Sequence, residues 1–154
     1  PMVSLNRLRE IRDFLRPLIS DFVDLEVRNP EFESVQARFK VRFYPEQEAN
    51  RGFYEKMLIE DIKKFLAPWL YDEGQDLELG GRVHRSQIIN FVEERDYVDF
   101  VTDFEIDQII SEDPLNKLVN VEEAVASNSS SVLVSADTHF VENDINIACL
   151  NPSS

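Results

Sequence analysis

Cysteine is nearly missing: Cys149 is the only one in 154 residues. A single thiol cannot close an internal disulfide, and a cysteine-rich zinc site is excluded. A reactive thiolate needs positive charge beside it, whereas Cys149 lies in an acidic tail and reads as an incidental thiol. Histidine is almost as scarce, with only His84 and His139. His139 between Asp137 and Glu142 is a weak metal candidate, and His84 has no acid at a motif spacing, so a turn or packing role is expected for it. No apolar run approaches the roughly 20 residues a membrane-spanning helix needs. Basic charge is short as well: 16 Lys and Arg face 30 Asp and Glu, for a net charge of −14. Phosphate binding wants a basic face, so nucleic acid and anionic membranes are disfavoured as partners. No phosphate-cradling glycine loop, dinucleotide fingerprint, zinc-protease helix or nucleophile elbow occurs.

What is present is ordinary globular material, 43% hydrophobic with 11 Phe. A chain of this length buries roughly two-thirds of its unfolded surface and supports its own core. It opens on Pro1-Met2 and then an amphipathic, charged stretch with no apolar core run. That start suggests a cloning remnant or a piece cut from a longer polypeptide, and no secretory leader is expected.

Ser4 can cap a helix running to about Ile19. Leu5, Leu8, Ile11, Leu15 and Leu18 fall at helical spacing with Phe14 beside them, while Arg7, Arg9, Arg12 and Arg16 lie off the stripe. Pro17 should weaken its last turn. Residues 22–27 alternate, and Asn29-Pro30 signals a turn. Val35, Ala37, Phe39, Val41 and Phe43 then alternate strictly with Gln36, Arg38, Lys40 and Arg42. The pair reads as a hairpin, with Asp24 and Glu26 beside the basic row. A second helix is expected over residues 51–66, stopped by Pro68. Asp72, Glu73 and Asp76 resemble only a fragment of a calcium loop, with Gly74 misplaced. Leu77 and Leu79 suggest a short strand, Gly80-Gly81 a turn, and Ser86 the cap of a helix to about Glu93.

Val98, Phe100, Thr102, Phe104 and Ile106 are expected to face the core, with Asp99, Asp103 and Glu105 outward. That acidic row invites a metal or acid–base reading, but no histidine or third ligand completes it. Pairing with Arg38, Lys40 and Arg42 is the more useful expectation. The order α-β-β-α-β-α-β gives an α+β fold, a two-layer sandwich on a mainly antiparallel sheet. Composition shifts after Ile110: the remaining residues hold seven acids and one base, Lys117. The expected domains are therefore residues 1–110 and an acidic tail, 111–154, a β-hairpin-like or extended arm suited to strand addition through Val132, Leu133 and Val134.

Residues 65–104 carry a resemblance. Phe65, Pro68 and Trp69 in FLAPW, Gly80 and Gly81 in GGRV, Ser86 and Phe91 in SQIINFVEE, and Tyr97, Phe100 and Phe104 in YVDFVTDF resemble, in order and spacing, the C-terminal part of baseplate J-like wedge proteins of contractile injection systems. Residues 22–30 and 35–41 fit the same segment. The resemblance implies a structural assembly module in a phage-tail-like particle assembled in the cytoplasm. It implies no catalysis and no cofactor, other wedge and hub proteins as partners, and possible self-association. The named residues would make the fold, with Trp69→Ala costing about 3–5 kcal/mol. Contacts would come from Arg9, Arg12 and Arg16, from Arg38, Lys40 and Arg42, or from the tail. Two rival classes remain: a small metal- or ligand-dependent enzyme using Asp99, Asp103 and Glu105, and a free-standing acidic adaptor that occupies a basic partner.

Overall fold

The computed structural model describes residues 2–144, except residues 73 and 112 and the side chain of residue 114. Cys149 and Glu73 fall outside the described residues. The chain divides into two compact units, Pro1–Glu31 and Phe32–Ser154.

In the first unit, helix α1 (Leu5–Leu15) begins where the Ser4 side chain accepts the Arg7 N–H at 3.3 Å. It ends four residues before Ile19, because the chain tightens into a 3-10 turn over Arg16–Leu18 with Pro17 inside it. Asn29 brackets Val3, accepting its N–H at 2.9 Å and donating to its carbonyl at 2.8 Å. Residues 24–30 form no strand, so the expected hairpin is absent. Both edges of the strand meant to pair with them are taken by later segments.

That strand is β1 (Glu31–Phe43), the centre of the second unit. Helix α2 (Pro45–Glu48) is a single turn, and α3 (Arg51–Leu66) has the bounds the sequence implied. Pro68 follows it in a 3-10 turn, Pro68–Leu70. Strand β2 (Arg82–His84) leads directly into α4 (Arg85–Glu93). Residues 77–79 are not a strand. Ser86 is not the cap: His84 holds that position, and its N–H is taken by the Gln87 side chain at 2.8 Å. Gly80 has φ +66°, a conformation that costs glycine nothing, and its N–H meets the Ser131 carbonyl at 2.9 Å.

Strand β3 (Val98–Ile109) runs antiparallel to β1, and the register slips twice. Lys40 opposes Thr102 while Arg38 opposes Glu105, so Asp103 and Phe104 share the place of one residue, and Asp103 takes φ +51°. A bulge of this kind reverses which side chains face inward. Phe104, Ile106 and Gln108 lie on the core side, but Phe100 and Thr102 move to the outer face. Expecting those two in the core was therefore wrong, because an unbroken period of two does not survive a bulge. Phe100 sits under Arg42, whose guanidinium carbon is 4.9 Å from the ring centroid.

Four more strands follow: β4 (Lys117–Leu118), β5 (Glu123–Val125), β6 (Ser131–Ser135) and β7 (Phe140–Asn143). The main sheet has the order β4-β3-β1-β6, with β7 also on β1 in parallel. Strands β2 and β5 form a separate antiparallel pair. Helix α4 packs on β3 and α3 on β6. Their inner faces bury Leu58, Ile62, Leu66, Ile88 and Val92 against Val35, Ala37, Phe39, Val41 and Phe43. The fold is α+β, as expected, on a mixed sheet.

The shift in composition at Ile110 is not a boundary of the fold. Ala124, Val132 and Leu133 belong to the core. Among the described residues after Ile110 the strands form no appended hairpin, since they pair with β3, β2 and β1 rather than with one another.

Candidate functional site

The outer face of β1 and β3 carries the basic row and its acids. Lys40 Nζ lies 2.7 Å from Asp103, and Arg38 reaches Glu105 at 2.8 Å and Asp107 at 3.1 Å. These pairs raise the Lys40 ammonium, through Asp103, and the Arg38 guanidinium, through Asp107, above their usual ranges. The expected pairing of the two rows therefore forms for Arg38 and Lys40 with Glu105 and Asp103. An open cavity of about 900 Å³ runs over this region, lined among others by Arg38, Lys40, Arg85, Thr102, Glu105 and Glu142. Its walls mix both signs of charge, and Asp103 and Glu105 are neutralised in place. Asp99 is exposed on its own bulge. Among the described residues no group of three or more His, Cys, Asp or Glu converges as metal ligands. In the calcium-like stretch, Asp72 accepts the Gly74 N–H at 3.1 Å and closes a local turn.

Two carboxylates that sequence reasoning passed over are almost fully buried, Glu33 and Asp107. They lie on opposite faces of the sheet, and each fastens a late segment to it. Glu33 accepts from the Gln108 amide at 2.6 Å and the Ser127 N–H at 2.9 Å. Gln108 in turn exchanges two bonds with the Val125 backbone, at 2.7 and 3.1 Å. Burial pushes the Glu33 carboxyl up, but the bonds from Ser127, Ser131 and Gln108 win and hold it below its usual range. Asp107 accepts from the Asn120 N–H at 2.9 Å, Arg38 at 3.1 Å and Lys117 at 3.0 Å. Against burial, these donors likewise hold it below the usual range. A signal existed: Glu33 falls in phase with Val35 and Ala37, so a polar residue stands where the pattern demands an apolar one.

The second overlooked pair is Ser135 and His139, whose Oγ and Nε2 lie 2.8 Å apart. The geometry looks like a nucleophile and its base. The proton positions say otherwise. His139 Nδ1 accepts the Ala37 N–H at 3.0 Å, so the ring proton is on Nε2 and is donated to Ser135. Ser135 passes its own proton to the Ala136 carbonyl at 3.0 Å. The histidine cannot take a proton from this serine, and the ring is buried. It ties backbone to backbone, and it is not a metal ligand with Asp137 and Glu142, both of which are exposed.

Of the residues that carried the resemblance, Phe65, Phe91, Tyr97 and Phe104 join the core, whereas Pro68, Gly80 and Ser86 are exposed and Phe100 is on the outer face. Phe65 stacks on Phe91 with centroids 4.4 Å apart, joining α3 to α4. Phe104 stacks on Phe39 at 4.6 Å. Tyr97 is buried and donates to Asp61 at 2.7 Å, and burial followed by that bond holds its hydroxyl far above the usual range. Trp69 is only half-buried, stacked on Phe32 at 6.2 Å. Trp69→Ala should therefore cost about 1–2 kcal/mol, less than for an enclosed tryptophan. Urea denaturation checks this, and a loss above about 3 kcal/mol would contradict it.

The candidate contact residues divide. Arg9, Arg12 and Arg16 are exposed on and just beyond α1, with Arg12 paired to Asp13 at 3.1 Å and Arg16 bonded to the Val23 carbonyl at 3.1 Å. Leu5, Phe14, Leu18 and Phe22 beside them are exposed too, and α1 buries no residue. Val132 and Leu133 are in the core and Val134 is half-buried. Strand β6 pairs with β1 and lies at the end of the sheet order β4-β3-β1-β6.

A family model of PVC11-like baseplate proteins matches residues 1–138. Among solved structures, a chain of the six-fold symmetrised cryo-EM structure of the anti-feeding prophage baseplate has a similar fold, with a TM-score of 0.61 and 19% identity over 89% of this chain. The match takes in 26% of that chain, so the present chain spans about a quarter of its length. No curated protein sequence matches. The expected kinship with baseplate proteins of contractile injection systems is borne out by the family match. Since that match runs through both compact units, the chain belongs to the PVC11-like family of baseplate proteins and is a structural baseplate component.

Proposed function

We propose that this chain is a non-catalytic wedge module of a contractile injection system baseplate, joined to other wedge and hub proteins. The observation that carries this reading is the family match across both units. The side-chain chemistry supports it. The outward acids Asp103 and Glu105 are spent on Lys40 and Arg38, and the Ser135–His139 pair is wired the wrong way for catalysis. Among the described residues no helix is long and apolar enough to cross a membrane. Contacts to other subunits run through the exposed side of residues 2–31, where Arg9, Arg12 and Arg16 flank unburied Leu5, Phe14 and Leu18. Apolar area of this kind, rimmed by charge, marks protein contact surfaces.

The test is incorporation. A tagged chain produced with the particle's remaining components should localise to the baseplate end of purified particles, in a copy number that is a multiple of six. Phe14→Ser with Leu18→Ser should reduce incorporation while leaving the thermal unfolding of the free chain unchanged. Particles that assemble and contract normally without the chain would overturn the proposal.

A further inference from the structure

On one side of β1 the ladder has a gap. The Ala136 N–H meets the Val35 carbonyl at 2.9 Å, and the pairing with β7 starts only at Arg38 opposite Phe140. Between them, the Ala37 N–H has no strand partner on that side. The imidazole of His139 stands in for the missing rung, with Nδ1 accepting at 3.0 Å. Gln36 reinforces the place by donating to the Thr138 carbonyl at 3.0 Å. We propose that His139 is a proton-operated latch. Adding a proton to Nδ1 sets donor against donor at Ala37 and frees residues 136–143 from β1, while β6 stays in the core.

The surroundings favour release over accommodation. Helix α3 presents the Lys63 ammonium to the ring, β1 brings the neutral Gln36, and β6 the neutral Ser135. Glu60 on the same helix pairs with that lysine at 3.1 Å, which partly offsets its push on the ring and leaves burial as the larger cause. Burial, then Lys63, holds the imidazole down to about 4 against an ordinary 6.5. The open segment takes up the proton at the ordinary value and the closed one only near 4. The latch is thus fully engaged above pH 6.5 and weakens as pH falls toward 4. Detaching residues 136–143 uncovers only Ala136 and the half-buried Val141 among their apolar side chains, since Phe140 is already exposed, whereas Val132 and Leu133 hold β6 in place. Buried carboxylates contribute only at lower pH, because Glu33 and Asp107 stay ionised below their ordinary values of 4.5 and 3.8.

Amide hydrogen exchange on the full chain, corrected for intrinsic rates, tests the latch at pH 7 and pH 5. The opening equilibrium of Ala37 and residues 138–143 should rise about 20-fold from pH 7 to pH 5, with Val132 and Leu133 unchanged. His139→Gln offers an acceptor that does not titrate in this range and should abolish the difference. Equal loss of protection across the sheet, or the same pH response in the glutamine variant, overturns the proposal. If that variant does not fold, the ring resonances of the wild-type histidine decide. Titration near 4 supports the latch, and titration near 6.5 removes it. This inference stands apart from the baseplate reading, since it concerns the free chain alone.

Discussion

A chain ending at Ile110 is expected not to fold. The cut falls where composition changes, and by sequence it would trim an acidic arm from a finished domain. In the structure it removes β4 to β7. Core residues Ala124, Val132 and Leu133 leave, and one whole side of β1 loses its backbone partners. Glu33 loses the Ser127 donor, Gln108 loses both Val125 bonds, and Asp107 loses Lys117 and Asn120. Each stranded buried polar group costs about 1–3 kcal/mol, and each lost aliphatic side chain about 1.5–3 kcal/mol more. The total is comparable to the whole 5–15 kcal/mol of a typical domain. Near-UV circular dichroism and a urea melt should show no cooperative transition for the truncated chain. A two-state melt with near-native amplitude would mean that residues 32–110 are self-sufficient after all.

The largest single-residue effect should come from Glu33→Ala. The substitution leaves the Ser127 N–H without an acceptor and takes one of two partners from the Gln108 amide, in a place almost closed to water. Hydrogen bonds to a charged acceptor are worth about 1.5–3 kcal/mol, and breaking a buried charged network from one side costs about 3–5 kcal/mol. The expected loss is therefore about 3–5 kcal/mol, or roughly 10 °C or more in Tm. Glu33→Gln should lose less, because its oxygen still accepts from one donor while its amide faces the other. Thermal and urea denaturation of both variants measure the contrast. An alanine variant within about 1 kcal/mol of wild type would show that water replaces the carboxylate. The loss should shrink in acid, where wild type gives up the same stabilisation as pH falls below the ordinary 4.5 toward the lowered folded value.

How far the fold could be read from the sequence follows from which interactions are local. Helix α3 was legible to the residue, because Leu58, Ile62 and Leu66 repeat at helical spacing and Pro68 stops the chain. Strand β1 was legible because Val35 to Phe43 alternates without a break. The hairpin at residues 22–30 was misread for a physical reason: alternation shows that a segment can be a strand, and says nothing about whether an edge is vacant. Phe100 and Thr102 were placed on the wrong face because a bulge at Asp103 is a property of the pair of strands and not of β3 alone. Likewise, the cap of α4 moved from Ser86 to His84 because the helix starts directly from β2.

By itself, then, the sequence determined the fold class, the main helices, the central strand, and the pairing of Lys40 and Arg38 with the acids Asp103 and Glu105. It also carried the kinship with baseplate proteins, which depends on the order and spacing of core residues. Tertiary structure alone decided what the acidic stretch after Ile110 does. Its carboxylates and short strands look like a solvated arm when counted along the chain. Glu33 meets Ser127, and Asp107 meets Lys117 and Asn120, only once β1 and β3 are paired. The same holds for His139, whose proton position is set by a backbone N–H about a hundred residues away. Periodicity records which face a residue prefers, and only the assembled sheet records which partner satisfies it.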